Sequence, residues 1–408
     1  MPNFLTRDLE IMFENVIEGF DAACVLSREA DTYFPDPKAM QRANDVFYRP
    51  QQYRANVVTG VDISAQADTD ILQRQVPCTF RQPDNIRYSI NFLEARDPDI
   101  MARFGRDAAV DLAGAVDQNL YNVAMQQAAI VVRKVGAIAA NDVATAEAIM
   151  LARGVAPSRE RKLFMNPFDY QVIAQDLGGR SFMGDITKDA YTKSRVPDVA
   201  GFTAFRTDNV SQLLAVGTVT GTTVSGAQSF TPSAMTGDLP TDNRRMTLVV
   251  AGANIANTKL GDSFTIAGVN ALHNVTKADT GIPMTFRIIS GQGTANLVIT
   301  PAIIATGPYR NVSAAAGAGA AITFLNNVSR AVNVFWAHGA VRLDYGNIRL
   351  DADAGIKVMT STTKQGVPIA MMAQQNVMTG NLAVRLITRY ATTVVDPEST
   401  GIIIANQT

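Results

Sequence analysis

The sequence predicts an α+β chain with a long helix in its first half and a small β-barrel in its second. After Asp97-Pro98, apolar residues recur three to four apart at Met101, Phe104, Ala108, Leu112, Val116, Leu120 and Val123, with no proline before Arg133-Lys134. That spacing predicts one helix of about 35 residues, about 50 Å long. From Thr218 the composition turns to Gly, Thr, Ser and Val in short alternating runs, with Gly261-Asp262, Gly281 and Ser290-Gly291-Gln292-Gly293 as turns. Short strands so punctuated indicate a barrel or sandwich. The 408 residues suffice for two or three domains. No repeat of about 20 to 50 residues is present, which argues against a solenoid or propeller.

The remaining elements follow in chain order. Leu9, Met12, Phe13, Val16, Ile17 and Phe20 predict an amphipathic helix from about Thr6 to Leu26, and Glu10, Glu14 and Glu18 line another of its faces. Like charges four apart cost a helix a few tenths of a kcal/mol per pair. The stripe is therefore either a solvated acidic face or a surface that meets something basic. Tyr33-Phe34-Pro35-Asp36-Pro37 forbids helix and predicts an extended linker. Val46-Phe47-Tyr48 and the run from Arg87 to Phe92 read as strands of a long hairpin-type excursion, with a polar stretch near Gly60 to Asp70 too poor in apolar residues for its own core.

Asp97 suits a helix N-cap and Pro98 the first helical position. A shorter helix is expected from Asp142 to Arg153, and a second opens at Asn166-Pro167 and stops near Gly178-Gly179. Expected barrel strands include Val219 to Val224, Met246 to Val250, Ser263 to Ile266, Phe286 to Ile289 and Leu297 to Ile299. Ala314 to Ala321 reads as a flexible connection out of the barrel. Val332 to Trp336 and Ala340 to Leu343 flank His338-Gly339 as a hairpin, with His338 tolerating a positive φ. Asn381 to Val395 reads as the final strand.

Composition narrows the function. Charged residues are 18%, below the roughly 25% of an average domain, hydrophobic residues are 47%, and the formal net charge is -1. Such a surface favours association. With a pI of about 6.2, a free-standing nucleic-acid binder is disfavoured. Cys24 and Cys78 are the only cysteines and suggest neither a disulfide framework nor a metal site, which fits a reducing setting. Asp8, Glu10 and Glu14 stand where a secretory signal would be basic, and no run reaches the roughly 18 apolar residues of a membrane span. Asn-Val-Ser/Thr triplets at Asn209, Asn274, Asn311 and Asn327 then read as polar loops.

No active site emerges. His273 and His338 are far apart with no cysteine beside either, so neither a zinc site nor a Ser-His-Asp triad is expected. Gly252 and Gly291-Gln292-Gly293 lack the strand-to-helix context and the Gly-Lys-Ser/Thr of a phosphate loop. No catalytic, cofactor-binding or metal-ligating residue is nominated, and no cofactor is expected.

Several motifs carry a family resemblance. Ala146-Glu147-Ala148-Ile149-Met150, Phe164-Met165-Asn166-Pro167-Phe168-Asp169-Tyr170, Val199-Ala200-Gly201-Phe202, Thr223-Val224-Ser225-Gly226-Ala227-Gln228-Ser229-Phe230 and Asn333-Val334-Phe335-Trp336-Ala337 occur in this order. Together they resemble the major coat protein of Lederbergvirus-type short-tailed phages, from the Met40-Gln41-Arg42 region to near the C-terminus.

The resemblance implies a Hong Kong 97-type coat fold with an inserted β-barrel domain. Its parts would be an N-terminal arm at 1–40, an E-loop at 41–95, and a peripheral domain with the spine helix at 96–140 and 381–408. An axial domain would occupy 141–217 and 329–380, and the inserted barrel 218–328. It further implies a homo-oligomer of pentamers and hexamers in an icosahedral shell, assembled in the host cytoplasm with scaffolding and portal proteins. The procapsid would mature around double-stranded DNA held by weak non-specific contact, with no membrane partner. Some relatives of the fold crosslink an E-loop Lys to a neighbour's Asn. Here no Lys lies between Lys38 and Lys134, so covalent chain-mail is not expected.

Two surfaces are nominated. Glu10, Glu14 and Glu18 are candidates to dock a basic segment of scaffolding protein. Asp238, Asp242, Arg244 and Arg245, in the loop from Met235 to Arg245, are candidates for contact between capsomers. An encapsulin-like compartment and a β-rich adhesion module are the alternatives. The inserted β-domain with its motif argues against the first and the missing secretory signal against the second.

Overall fold

The computed structural model describes residues 4–33, 46–55, 60–64, 71–91, 93–179, 196, 198–346, 348, 350, 356–376 and 378–408. The linker expected at Tyr33 to Pro37 lies almost wholly outside them, as does much of the polar stretch from Gly60 to Asp70. Five α-helices are described: α1 (Phe4–Ala23), α2 (Leu26–Glu29), α3 (Pro98–Gln127), α4 (Ala140–Ala152) and α5 (Pro167–Gly178). The chain forms two compact units, one from 1–47, 78–121 and 342–393, the other from 48–77, 122–341 and 394–408. One boundary between the units falls at residue 394, within the segment 381–408.

In the first unit, Leu9, Met12, Val16 and Phe20 of α1 are buried. The helix passes very close to α3. A Cβ on Gly105 would collide with the Met12 carbonyl oxygen, and one on Gly19 would lie 2.9 Å from Ala109 Cβ. The expected continuation to Leu26 fails because a new helix begins there: Asp117 of α3 accepts the N–H groups of Val25, Leu26 and Ser27 at 2.7, 3.1 and 2.9 Å. An antiparallel sheet orders the strands Lys357–Thr362, Pro368–Gln375, Leu382–Thr388 and Asp84–Ile90. Thus the strand at Asp84–Ile90 pairs with Leu382–Thr388, whereas Val46–Pro50 pairs with Gln75–Thr79. The two runs expected to form one hairpin are not partners. Alternation marks a strand but does not name its neighbour.

The second unit is built on a five-stranded sheet in the order Ile130–Val135, Thr400–Gln407, Asn333–Ala337, Arg161–Met165 and Thr203–Arg206. The outer pairs are parallel and the central pairs antiparallel. Val143, Ala146 and Met150 of α4 and Ile173 and Ala174 of α5 share one core with Leu163, Phe335 and Ile403. On the strands' alternate positions, Trp336 is fully buried and stacks on Phe164 at 4.3 Å. Central strands enclosed on both faces read as continuous apolar runs. Thr400–Gln407 accordingly shows no alternation, and Asn381 to Val395 resolves into two earlier strands, Leu382–Thr388 and Tyr390–Val394.

Three further expectations change. The spine helix has 30 residues and stops at Gln127, because Ile130-Val131-Val132 is β-branched and enters the sheet instead. The runs around His338-Gly339 are not a hairpin: Asn333–Ala337 joins the five-stranded sheet, and Val341–Tyr345 pairs with Asp31–Tyr33. Gly339, at φ +82°, takes the left-handed conformation of that turn, and His338 does not. The local caps agree with the sequence. Asn166 Oδ1 accepts from Phe168 N at 3.1 Å and Asp169 N at 2.9 Å, and Asp97 Oδ1 from Asp99 N at 3.0 Å.

Also in the second unit, six strands form a sheet in the order Ile322–Phe324, Ser263–Leu272, Asp279–Ser290, Asn296–Thr300, Met246–Ala253 and Thr220–Val224. Backbone bonds from Val224 N to Ala320 O and from Gly319 N to Val224 O bring its ends together into a nearly closed barrel. Leu248, Val250, Phe264, Ile266, Phe286, Ile288, Leu297 and Ile299 fill the interior as a separate core. The Gly/Ala-rich run at 314–321 is part of this barrel, with Ala316 buried and exchanging backbone bonds with Gln228. Asn311 is likewise buried, its Nδ2 donating to Ala302 O, so that triplet is no surface loop.

Candidate interaction surfaces

The spacing that buries one face of α1 leaves Glu10, Glu14 and Glu18 exposed, one per turn. Glu10 is matched within the chain, its Oε1 3.5 Å from Lys357 Nζ. Glu14 and Glu18 have no partner among the described residues. The stripe thus survives as two carboxylates, one turn apart, on the side of α1 opposite its buried residues.

The loop from Met235 to Arg245 divides. Met235–Thr236 pairs antiparallel with Leu239–Pro240, placing Gly237, at φ +63°, and exposed Asp238 at the tip. Met235 and Leu239 beside it are 56% and 65% exposed. Behind the tip, Asp242 accepts Arg244 Nε and Nη2, both at 2.8 Å, while Arg244 Nη1 donates to Val394 O. Arg245 Nε lies 3.5 Å from the same carboxylate. Burial pushes the Asp242 carboxyl up, but the Arg244 hydrogen bond and charge outweigh it and hold it below the usual carboxylate range. Of the four residues nominated together, only Asp238 stands at the tip; Asp242, Arg244 and Arg245 form an internal clamp beneath it.

What roots the barrel in its unit was not foreseen. Arg287 is fully buried and donates to the carbonyls of Met125 and Gln126 in the last turn of α3, where a cation complements the helix dipole. Burial holds its guanidinium down at about 9, with Asp262 opposing. Thr285 Oγ1 donates to Ala129 O, and Asn274 N to Arg153 O at 2.9 Å. The signal was present in Phe286-Arg287-Ile288, since a charge inside an apolar barrel strand needs a partner. Among the described residues no acid, His and Cys group could hold a metal ion, and no helix is long and apolar enough to cross a membrane.

A protein-family model described as P22 coat protein, gene protein 5, matches residues 3–405. Among solved structures, the capsid of the cyanophage P-SCSP1u is similar at 11% identity over 94% of this chain and 89% of that one, with a TM-score of 0.47. A Mycobacterium phage Che8 structure is similar at 11% identity over 92% and 91%, with a TM-score of 0.43. The CUS-3 coat protein I-domain is 37% identical and covers 27% of this chain and 99% of its own, with a TM-score of 0.22.

Proposed function

The chain belongs to the P22 coat protein family, and from that premise we propose how its surfaces serve assembly. As a member it is a major capsid protein, a structural component of the virion rather than an enzyme, and it works as a homo-oligomeric lattice. In our reading the lattice consists of pentamers and hexamers and grows in the host cytoplasm with scaffolding and portal proteins. It then matures around double-stranded DNA. Many weak contacts suffice, because each subunit of a closed lattice has several neighbours and gains from multivalency. Maturation is a switch between two packings of one subunit. Near-neutrality suits a container, since a strongly basic lining would bind its DNA tightly.

In the same reading, the arm, E-loop, peripheral, axial and inserted parts follow the boundaries given by the resemblance, except that residues 394–408 go with the five-stranded sheet. The observation that carries the docking role is the pair Glu14 and Glu18, exposed on a helix whose opposite face is fully used. A basic segment of scaffolding protein fits that surface. Glu14→Lys is expected to reduce scaffold uptake during co-assembly, with the difference shrinking as salt rises. Unchanged uptake at every salt concentration contradicts the role. The tip with Asp238, Met235 and Leu239 contacts a neighbouring capsomer, and Asp238→Lys is expected to lower the yield of closed shells while leaving the subunit's melting temperature unchanged.

A further inference from the structure

We propose that a cavity of about 350 Å3 in the second unit, walled by residues 50–54, Arg74, the barrel and residues 395–398, binds a small phosphate-class oxyanion. Its lining holds four arginines, Arg54, Arg74, Arg159 and Arg244, against two acids, Asp396 and Glu398. Two of the arginines are already committed. Arg244 is forked onto Asp242, and Arg159 lies 3.6 Å from Asp396 while donating to His338 O and Ser399 Oγ.

Arg54 and Arg74 remain, with Glu398 as the remaining acid of the lining. Arg54 Nη1 donates to a neutral acceptor, Asn274 O, at 2.7 Å. The Arg74 guanidinium lies 4.1 Å from the Tyr309 ring centroid, and its Nε is buried with no hydrogen-bond partner among the described residues. Glu398 is shared, accepting Asn311 Nδ2 at 2.7 Å. Behind this pair stands Lys277, whose amine donates to Arg310 O at 2.9 Å. Burial, then Arg54, hold its ammonium down at about 8; Arg310 and Arg74 act in the same direction and Glu398 opposes.

Cations therefore outnumber carboxylates in a confined space, and an added anion relieves their repulsion. Guanidinium forks match the oxygens of a phosphate and grip it with charge-assisted hydrogen bonds. The volume is at the small end of the roughly 300 to 1,000 Å3 of ligand pockets, which favours a compact ligand. The same chemistry can come from free phosphate or from a nucleic-acid backbone.

The test is isothermal titration of the full-length chain with inorganic phosphate, with pyrophosphate, and with a short DNA duplex, at constant ionic strength set by sodium chloride. Saturable binding is expected. Arg54→Gln and Arg74→Gln should each weaken it about tenfold or more. Glu398→Gln should tighten it, because the competing charge goes while the amide oxygen still accepts from Asn311, a gain that misfolding cannot mimic. Duplex binding with the same dependence on these residues identifies the source as nucleic-acid phosphate, and duplex silence identifies it as free phosphate. Absence of saturable binding by all three probes, or binding that Arg54→Gln and Glu398→Gln leave unchanged, overturns the proposal.

Discussion

Asp117 is fully enclosed on α3, and three consecutive backbone N–H groups, of Val25, Leu26 and Ser27, donate to its carboxylate. Hydrogen bonds to a charged group contribute about 1.5 to 3 kcal/mol each, and losing the acceptor strands buried donors. Asp117→Ala is expected to cost more than about 3 kcal/mol in urea unfolding of the unassembled subunit. Lys277 gives a pH dependence. Its ordinary value is 10.5 and its folded value about 8, so between them the unfolded chain holds more protons and stability rises with pH. Lys277→Met should melt above the native chain below pH 8, and the gap should close towards pH 10.5; a gap independent of pH contradicts the assignment. Residue roles were legible in the sequence only where they are local. Asn166 caps its own helix, and the cap-then-proline pattern gave it away. Asp117 serves backbone 92 residues away from it at Val25, and nothing in the sequence distinguishes it from the other aspartates of α3.

At the scale of elements, helices were read well in position and less well at their ends. The apolar period of α3 runs on through Ile130 and Val131, so periodicity alone overran the boundary that β-branched residues and a parallel partner at Thr400–Gln407 impose. Partners were the larger loss. Asp84–Ile90 and Asn333–Ala337 were recognisable as strands, yet each pairs with chain far away in sequence, information that alternation does not hold. The loop at Met235 to Arg245 shows the same limit for a site: its charges were visible, but not that Arg244 turns inward onto Asp242 and Val394 O. Two element-scale outcomes are expected. Gly105→Ala should loosen α1 from α3, since the added Cβ meets the Met12 carbonyl, and limited proteolysis should then cut within Phe4–Ala23 faster than in the native chain. A fragment of residues 218–328, which carries its own core, should show β-type circular dichroism; a random-coil spectrum would count against that boundary.

For the whole molecule, light charge and a net charge of -1 predict a chain that associates, and membership of the coat family states what it associates into. The contact surfaces proposed above are modest: two carboxylates on α1 and a hairpin tip flanked by Met235 and Leu239. A lattice built on such contacts should assemble reversibly and need a second protein to close at one size. Lattice assembly is checked by mixing the purified chain with the scaffolding protein proposed for it and examining the product by sedimentation and negative-stain imaging. Closed shells of uniform diameter are expected with scaffolding protein, and unassembled subunits or irregular shells without it. A chain that stays as small oligomers in the presence of scaffolding protein, or closes uniformly without regard to it, would rule out scaffold-directed lattice assembly.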